Sequence, residues 1–172
     1  MVIFIMLLLK ELPTKKSLEQ FASRYPNINI PAIVDFVVLL RASSDISQAL
    51  DKLLAKHGLL QGRWWILILL LRQPNQTSSP TDLAEKAGVT KASITGFIDS
   101  LQREGYVSRV EDETDRRKYV IRLTEAGLKK LDSTVPDYNE KIESLMNTLN
   151  LKQREEMLNS LKTLVNHLEL MK

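Results

Sequence analysis

Between Ser79 and Gly127 the chain changes its apolar period in a way that few folds accommodate. Ser79 is a good N-cap, Pro80 fits the first helical position, and Asp82 supplies the acidic N3 partner of a capping box. Leu83, Ala84 and Ala87 then recur on one helical face. Gly88 makes a tight turn, and Val89 plugs the angle between two helices. Thr90 caps the second helix, whose buried face is Ile94, Phe97, Ile98 and Leu101, and Gly105 closes it. The period next drops to two. Residues 106–110 and 119–123 alternate as strands around the polar segment EDETDRRK.

The flanking sequence reads as helix. Thr14 caps a short helix with Leu18, Phe21 and Ala22 on one face, and Pro26 and Pro31 bracket a linker. Pro31 suits the first position of a long helix running to about Lys56. Its apolar residues include Ile33, Phe36, Val37, Leu40, Leu50 and Leu54, with a polar break at 41–45, and Gly58 is a left-handed cap. Residues 61–72 are apolar nearly all round, as a central core helix should be, although Leu60 stands where a polar cap belongs. Pro74 and Asn75 end that helix and the turn QTSS follows. Thr124 caps a helix from 125 to about 148 that Pro136 should bend. Asn150 with Gln153 starts a last helix bearing Leu151, Leu158, Leu161, Leu164, Val165 and Leu168. The expected fold is mainly α with a small β-hairpin wing: a winged helix-turn-helix with a helical dimerisation region. Its expected parts are an N-terminal extension with dimerisation helices at 1–58, the winged part at 59–127 and C-terminal dimerisation helices at 128–172.

Composition narrows the chemistry. There is no cysteine among the 172 residues, which rules out disulfides, thiolate metal sites and thiol redox sensing. His57 and His167 are too few and too far apart for a metal cluster. No nucleophile–histidine pairing, phosphate-cradling glycine loop or evident carboxylate pair is present, so no catalytic residue, cofactor or enzyme activity is expected. The opening run MVIFIMLLL is nine residues long, well short of the roughly 20 a membrane helix needs. It lacks the basic residues and cleavage site of a secretory signal. It reads as a segment buried against the body or a partner, with a mis-set start or a weak membrane contact as the alternatives. The expected location is the cytoplasm, with no membrane association.

With Ile94, Phe97, Ile98 and Leu101 turned inward, the opposite face of the second helix shows Thr90, Lys91, Ala92, Ser93, Thr95 and Gly96, followed by Asp99. Small and hydroxylated residues on the first two turns allow close approach to base edges, and Lys91 at the helix start favours phosphate. The hairpin tip places Arg116, Arg117 and Lys118 beside Asp115, a grouping suited to a narrow, negative minor groove. These ten residues, Asp99 excepted, are the candidate DNA contacts, and double-stranded DNA is the expected partner. Net charge is only +3, and the window 79–127 holds eight basic against nine acidic residues. Affinity for DNA must therefore come from where charge is placed. That near-neutrality also leaves open a winged helix that binds protein rather than specific DNA.

At residues 33–170 the chain resembles the MarR/SlyA family of bacterial winged-helix transcription regulators. The likeness is strongest in SPTDLAEKAGVTKASITGFIDSLQREGYVSR and DRRKYVIRLTEAG. The second carries the family's wing signature on Asp115, Arg117, Leu123, Thr124 and Gly127. Lys118 replaces a usual small residue, and Glu111 and Glu113 replace the prolines common before the wing. The resemblance implies an obligate homodimer on a pseudo-palindromic operator. It also implies a cleft for a small phenolic or aromatic effector that releases DNA, with Phe36, Arg63, Trp64 and Trp65 as candidate walls. Independently, the apolar stripes at 31–56 and 151–170 exceed what one small winged unit can cover, which points to a second copy.

Overall fold

A computed structural model describes residues 13–111 and 119–171. The apolar run at 1–9 and the hairpin tip with Asp115, Arg116, Arg117 and Lys118 lie outside the described residues. The chain divides into two compact units between Lys129 and Lys130.

The first unit opens with α1 (Lys15–Arg24), capped by Thr14, whose hydroxyl accepts from the Ser17 N–H at 3.2 Å. No residue of α1 is buried. Phe21 is exposed, and its ring centre lies 5.0 Å from that of Tyr25. Helix α2 (Ile30–Ala55) is capped by Asn29, which puts Pro31 at the second helical position rather than the first. The polar stretch at 41–45 does not interrupt it, because Arg41 and Asp45 pair across one turn at 2.8 Å and Ser44 is buried.

Helix α3 (Gln61–Leu71) is the centre of the unit. Trp64, Ile66, Leu67 and Leu70 are buried on it, and it packs against α2 and the elements that follow. Its missing local cap comes from elsewhere in the chain. The Asp51 carboxylate of α2 accepts from the Gln61 N–H at 3.2 Å, and the Gln61 amide donates to the Ser47 carbonyl at 2.8 Å. One orphan N–H is thereby satisfied and two helices are joined.

After α3 the chain reverses through Asn75 and Gln76, both at positive φ (52° and 55°). Half of the expected QTSS turn is a short strand, β1 (Thr77–Ser78). It pairs antiparallel with β3 (Tyr119–Leu123), which pairs in turn with β2 (Val107–Glu111), giving the order β1-β3-β2. Two residues are too few to show alternation, so the third strand carries no signature in the sequence.

Helices α4 (Pro80–Ala87) and α5 (Lys91–Arg103) form as their capping residues dictate. Ser79 accepts from the Asp82 N–H at 3.1 Å, and Thr90 accepts from the Ser93 N–H at 3.2 Å. Gly88 takes the left-handed conformation at φ 64°, where a side chain would be strained, and the Val89 N–H bonds back to the Ala84 carbonyl at 3.0 Å. Leu83, Ile94, Ile98, Leu101, Val107 and Ile121 complete the core, while Phe97 is only half-buried. Burying each of these large side chains contributes roughly 2 kcal/mol.

Helix α6 (Glu125–Met146) begins in the first unit and passes through Pro136 without ending. In the second unit Arg154 braces the turn that follows. It donates to the Leu149 carbonyl at 3.0 Å and to the Asn147 side chain at 2.6 Å. Helix α7 (Leu151–Asn166) carries the complete capping box expected of Asn150 and Gln153. None of its residues is buried, and Leu158, Leu161, Leu164 and Val165 are all exposed. Among the described residues no helix is long and apolar enough to cross a membrane, and no cluster of potential metal ligands occurs.

Candidate nucleic-acid interface

The two surfaces singled out from sequence belong to α5 and to the β2–β3 hairpin. Along α5 the residues Thr90, Lys91, Ala92, Thr95 and Gly96 are exposed and Ser93 is half-buried, opposite the buried Ile94, Ile98 and Leu101. The hydroxyls are partly committed. Thr90 and Ser93 bond each other at 3.0 Å, and Thr95 donates to the Lys91 carbonyl at 2.9 Å. What remains for a partner is the Lys91 ammonium, hydroxyl lone pairs, the Ala92 methyl and the open backbone at Gly96. A Cβ at Gly96 would meet nothing within 4 Å. A surface this shallow can lie close to a groove floor, with apolar contact to thymine methyls and acceptors for base N–H groups.

The hairpin is fixed at its base by backbone. The Thr124 N–H donates to the Tyr106 carbonyl at 3.1 Å, and the Thr124 hydroxyl donates to the Gly105 carbonyl at 2.7 Å while accepting from the Gly127 N–H at 3.0 Å. One threonine thus caps α6 and closes the corner from which the wing rises. Gly105 sits there at φ 77°.

Side chains fasten the hairpin higher up. Arg109 of β2 reaches across to α5. One amino group meets the Gln102 amide oxygen, and the other bonds the Asp99 carboxylate at 2.5 Å. Its guanidinium also lies 5.5 Å from the centre of the Tyr119 ring on β3. The hydrogen bond that Arg109 donates to the Asp99 carboxylate lifts the Arg109 pKa above its ordinary value. Sequence reasoning placed Asp99 on the exposed face and assigned no role to Arg109, Gln102 or Tyr119. Their relation is between elements, and only the three-residue spacing of Asp99 and Gln102 on one helix hints at it.

The four candidate effector residues differ in burial and partners. Trp64 is 1% exposed and belongs to the core, whereas Trp65 is 41% exposed and Phe36 is likewise exposed on α2. Arg63 ties α3 to its neighbours, pairing with Glu104 at the end of α5 and donating to the Gly58 carbonyl at 2.7 Å. A cavity of about 310 Å³ lies among α3, α4 and α5, lined by Trp65, Ile66, Leu69, Val89, Phe97 and Lys86 among others. Trp65 alone of the four borders it.

Residues 59–119, the helix-turn-helix and the first wing strand, match the model of the MarR family. The HTH-type transcriptional repressor YetL of Bacillus subtilis is 34% identical over 164 residues, covering 95% of this chain and 98% of YetL. Among solved structures, the MarR family regulator Sco3205 from Streptomyces coelicolor, crystallised with DNA, superposes with a TM-score of 0.73 at 19% identity. That match covers 81% of this chain and 88% of Sco3205. AbsC from the same organism gives a TM-score of 0.70 at 23% identity, over 92% of this chain and 98% of AbsC. These two likenesses concern the fold, and the match to YetL concerns the whole length of the sequence. The chain belongs to the MarR family.

Proposed function

We propose that this chain is a DNA-binding transcriptional regulator, acting in the cytoplasm as a homodimer, with each α5 in a major groove and each wing in an adjacent minor groove. Its work is regulatory and not enzymatic. The observation that carries this reading is the shallow, exposed face of α5 held beside the hairpin by Arg109. Thr90, Lys91, Ala92, Ser93, Thr95 and Gly96 are the proposed groove contacts, and Asp115, Arg116, Arg117 and Lys118 the wing contacts. YetL is named a repressor, which favours repression here.

The second copy is supported by apolar surface. Phe36, Val38, Leu40 and Ile46 on α2, and the leucines of α7, stand exposed in one subunit. Surface of that extent belongs at an interface. The division of labour is then a winged part at 59–127 between dimerisation helices at 1–58 and 128–172. A small phenolic or aromatic effector completes the proposal, with Trp65 and Phe36 offering rings to it, Trp64 backing them from the core and Arg63 at the margin.

A titration of labelled duplex from upstream of the protein's own gene tests the reading. Salt-sensitive binding at a ratio of two chains per site, outcompeted poorly by scrambled duplex, is the expected result. Absence of any salt-sensitive binding to selected genomic fragments overturns it and favours a protein-binding winged helix.

A further inference from the structure

The β2–β3 hairpin is unevenly supported along its length. Strand β1 pairs with β3 only at Arg122 and Ile121, the residues opposite Ser108 and Arg109 on β2. Beyond them, toward Val120 and Tyr119, β1 offers no partner, and a two-stranded ribbon is a weak structure on its own. Arg109 stands where that support ends. Its planar fork spans Asp99 and Gln102, which lie three residues apart on one face of α5, and its central carbon lies over the ring at the start of β3.

We propose that Arg109 is a positioning residue that sets the pitch of the wing against α5, making the helix and the hairpin one rigid reading head. The inference rests on the DNA-binding reading and adds a device that gives specificity. Flat contacts to phosphate tolerate a tilted wing, whereas simultaneous insertion into two grooves does not. Asp99 separates this role from a direct one. If Arg109 were simply a phosphate ligand, the neighbouring carboxylate would repel DNA, and its removal would tighten binding. If Arg109 positions the wing, removing Asp99 loosens it.

The test compares wild type, Asp99→Asn, Arg109→Ala and the double variant, with thermal midpoints confirming folded protein. Each single variant should weaken operator binding about tenfold, roughly what losing a charge-assisted hydrogen bond costs. Affinity for scrambled duplex should stay within about threefold, and the double variant should be no worse than either single one. Tighter binding by Asp99→Asn, or losses that add in the double variant, would overturn the proposal. A second readout needs no DNA. Because the chain lacks cysteine, spin labels on cysteines introduced at Thr95 and Glu111 report the helix-to-wing distance uniquely. That distribution should broaden in Asp99→Asn, and an unchanged width also overturns the clamp. Broadening in a protein that binds no duplex would sustain the clamp while ending the DNA-binding reading.

Discussion

Gly127, in the first turn of α6, lies so close to Tyr106 that a Cβ there would overlap the Tyr106 carbonyl oxygen and come within 2.7 Å of a Leu123 methyl. Both obstacles are fixed. The carbonyl is held by the Thr124 N–H, and Leu123 is buried on β3. Gly127→Ala should therefore cost about 3 kcal/mol, measured as a fall in urea midpoint with unchanged slope. A loss below about 0.5 kcal/mol would mean that the corner is softer than described. Gly62 offers a contrast, because only the Phe97 ring blocks a Cβ there and a ring can swing aside.

The reversal after α3 places Gln76 at φ 55°, a conformation that costs an L-residue with a long side chain about 1 kcal/mol. Gln76→Gly should raise stability by about 0.5 kcal/mol once the greater freedom of the unfolded chain is counted. A lower thermal midpoint would show that the turn is not strained.

Ser78 is buried on β1, and its hydroxyl has no hydrogen-bond partner among the described residues. Desolvating an unpaired hydroxyl costs about 1 to 3 kcal/mol, so Ser78→Ala should leave stability unchanged or raise it by about 1 kcal/mol. Calorimetry of the two proteins decides this. A marked destabilisation would mean that the hydroxyl has a partner.

Lys91 is the first residue of α5 and is exposed, so its ammonium adds to the positive end of the helix dipole. Lys91→Ala should weaken binding to all duplexes and reduce the slope of log affinity against log salt by about one. Loss of sequence preference without a change of slope would instead make Lys91 a base contact. Arg117→Ala, in the segment joining β2 to β3, should weaken operator binding and leave the sedimentation coefficient unchanged.

Leu164 lies exposed on α7 in line with Leu158 and Leu161. A charge there should be tolerated by one subunit and refused at an interface. Leu164→Glu is expected to sediment as a monomer and to lose operator binding by at least about tenfold. An unchanged sedimentation coefficient would place the dimer contact elsewhere.

Local rules explain what could be read from the sequence. Ser79, Thr90 and Asn150 cap helices because a short side-chain oxygen reaches the N–H three residues on, a relation contained in four residues of sequence. Gly88 and Gly58 end helices because their backbones can turn left-handed. The inward face of α5 follows equally from spacing. What escaped depends on distance along the chain. Strand β1 exists because β3 has an open edge forty residues later. Arg63 pairs with Glu104, and nothing near either residue in sequence announces the other.

The loan of a carboxylate from Asp51 to the start of α3 bears on how such a protein can be dissected. A fragment trimmed to begin at Leu59 would keep every proposed DNA contact yet forfeit the Asp51 and Ser47 anchors of Gln61. Its central helix would fray from the first turn, at a cost of about 1 kcal/mol for the lost cap alone. Weak binding by such a trimmed piece would then measure a missing foundation and say little about the reading surface itself.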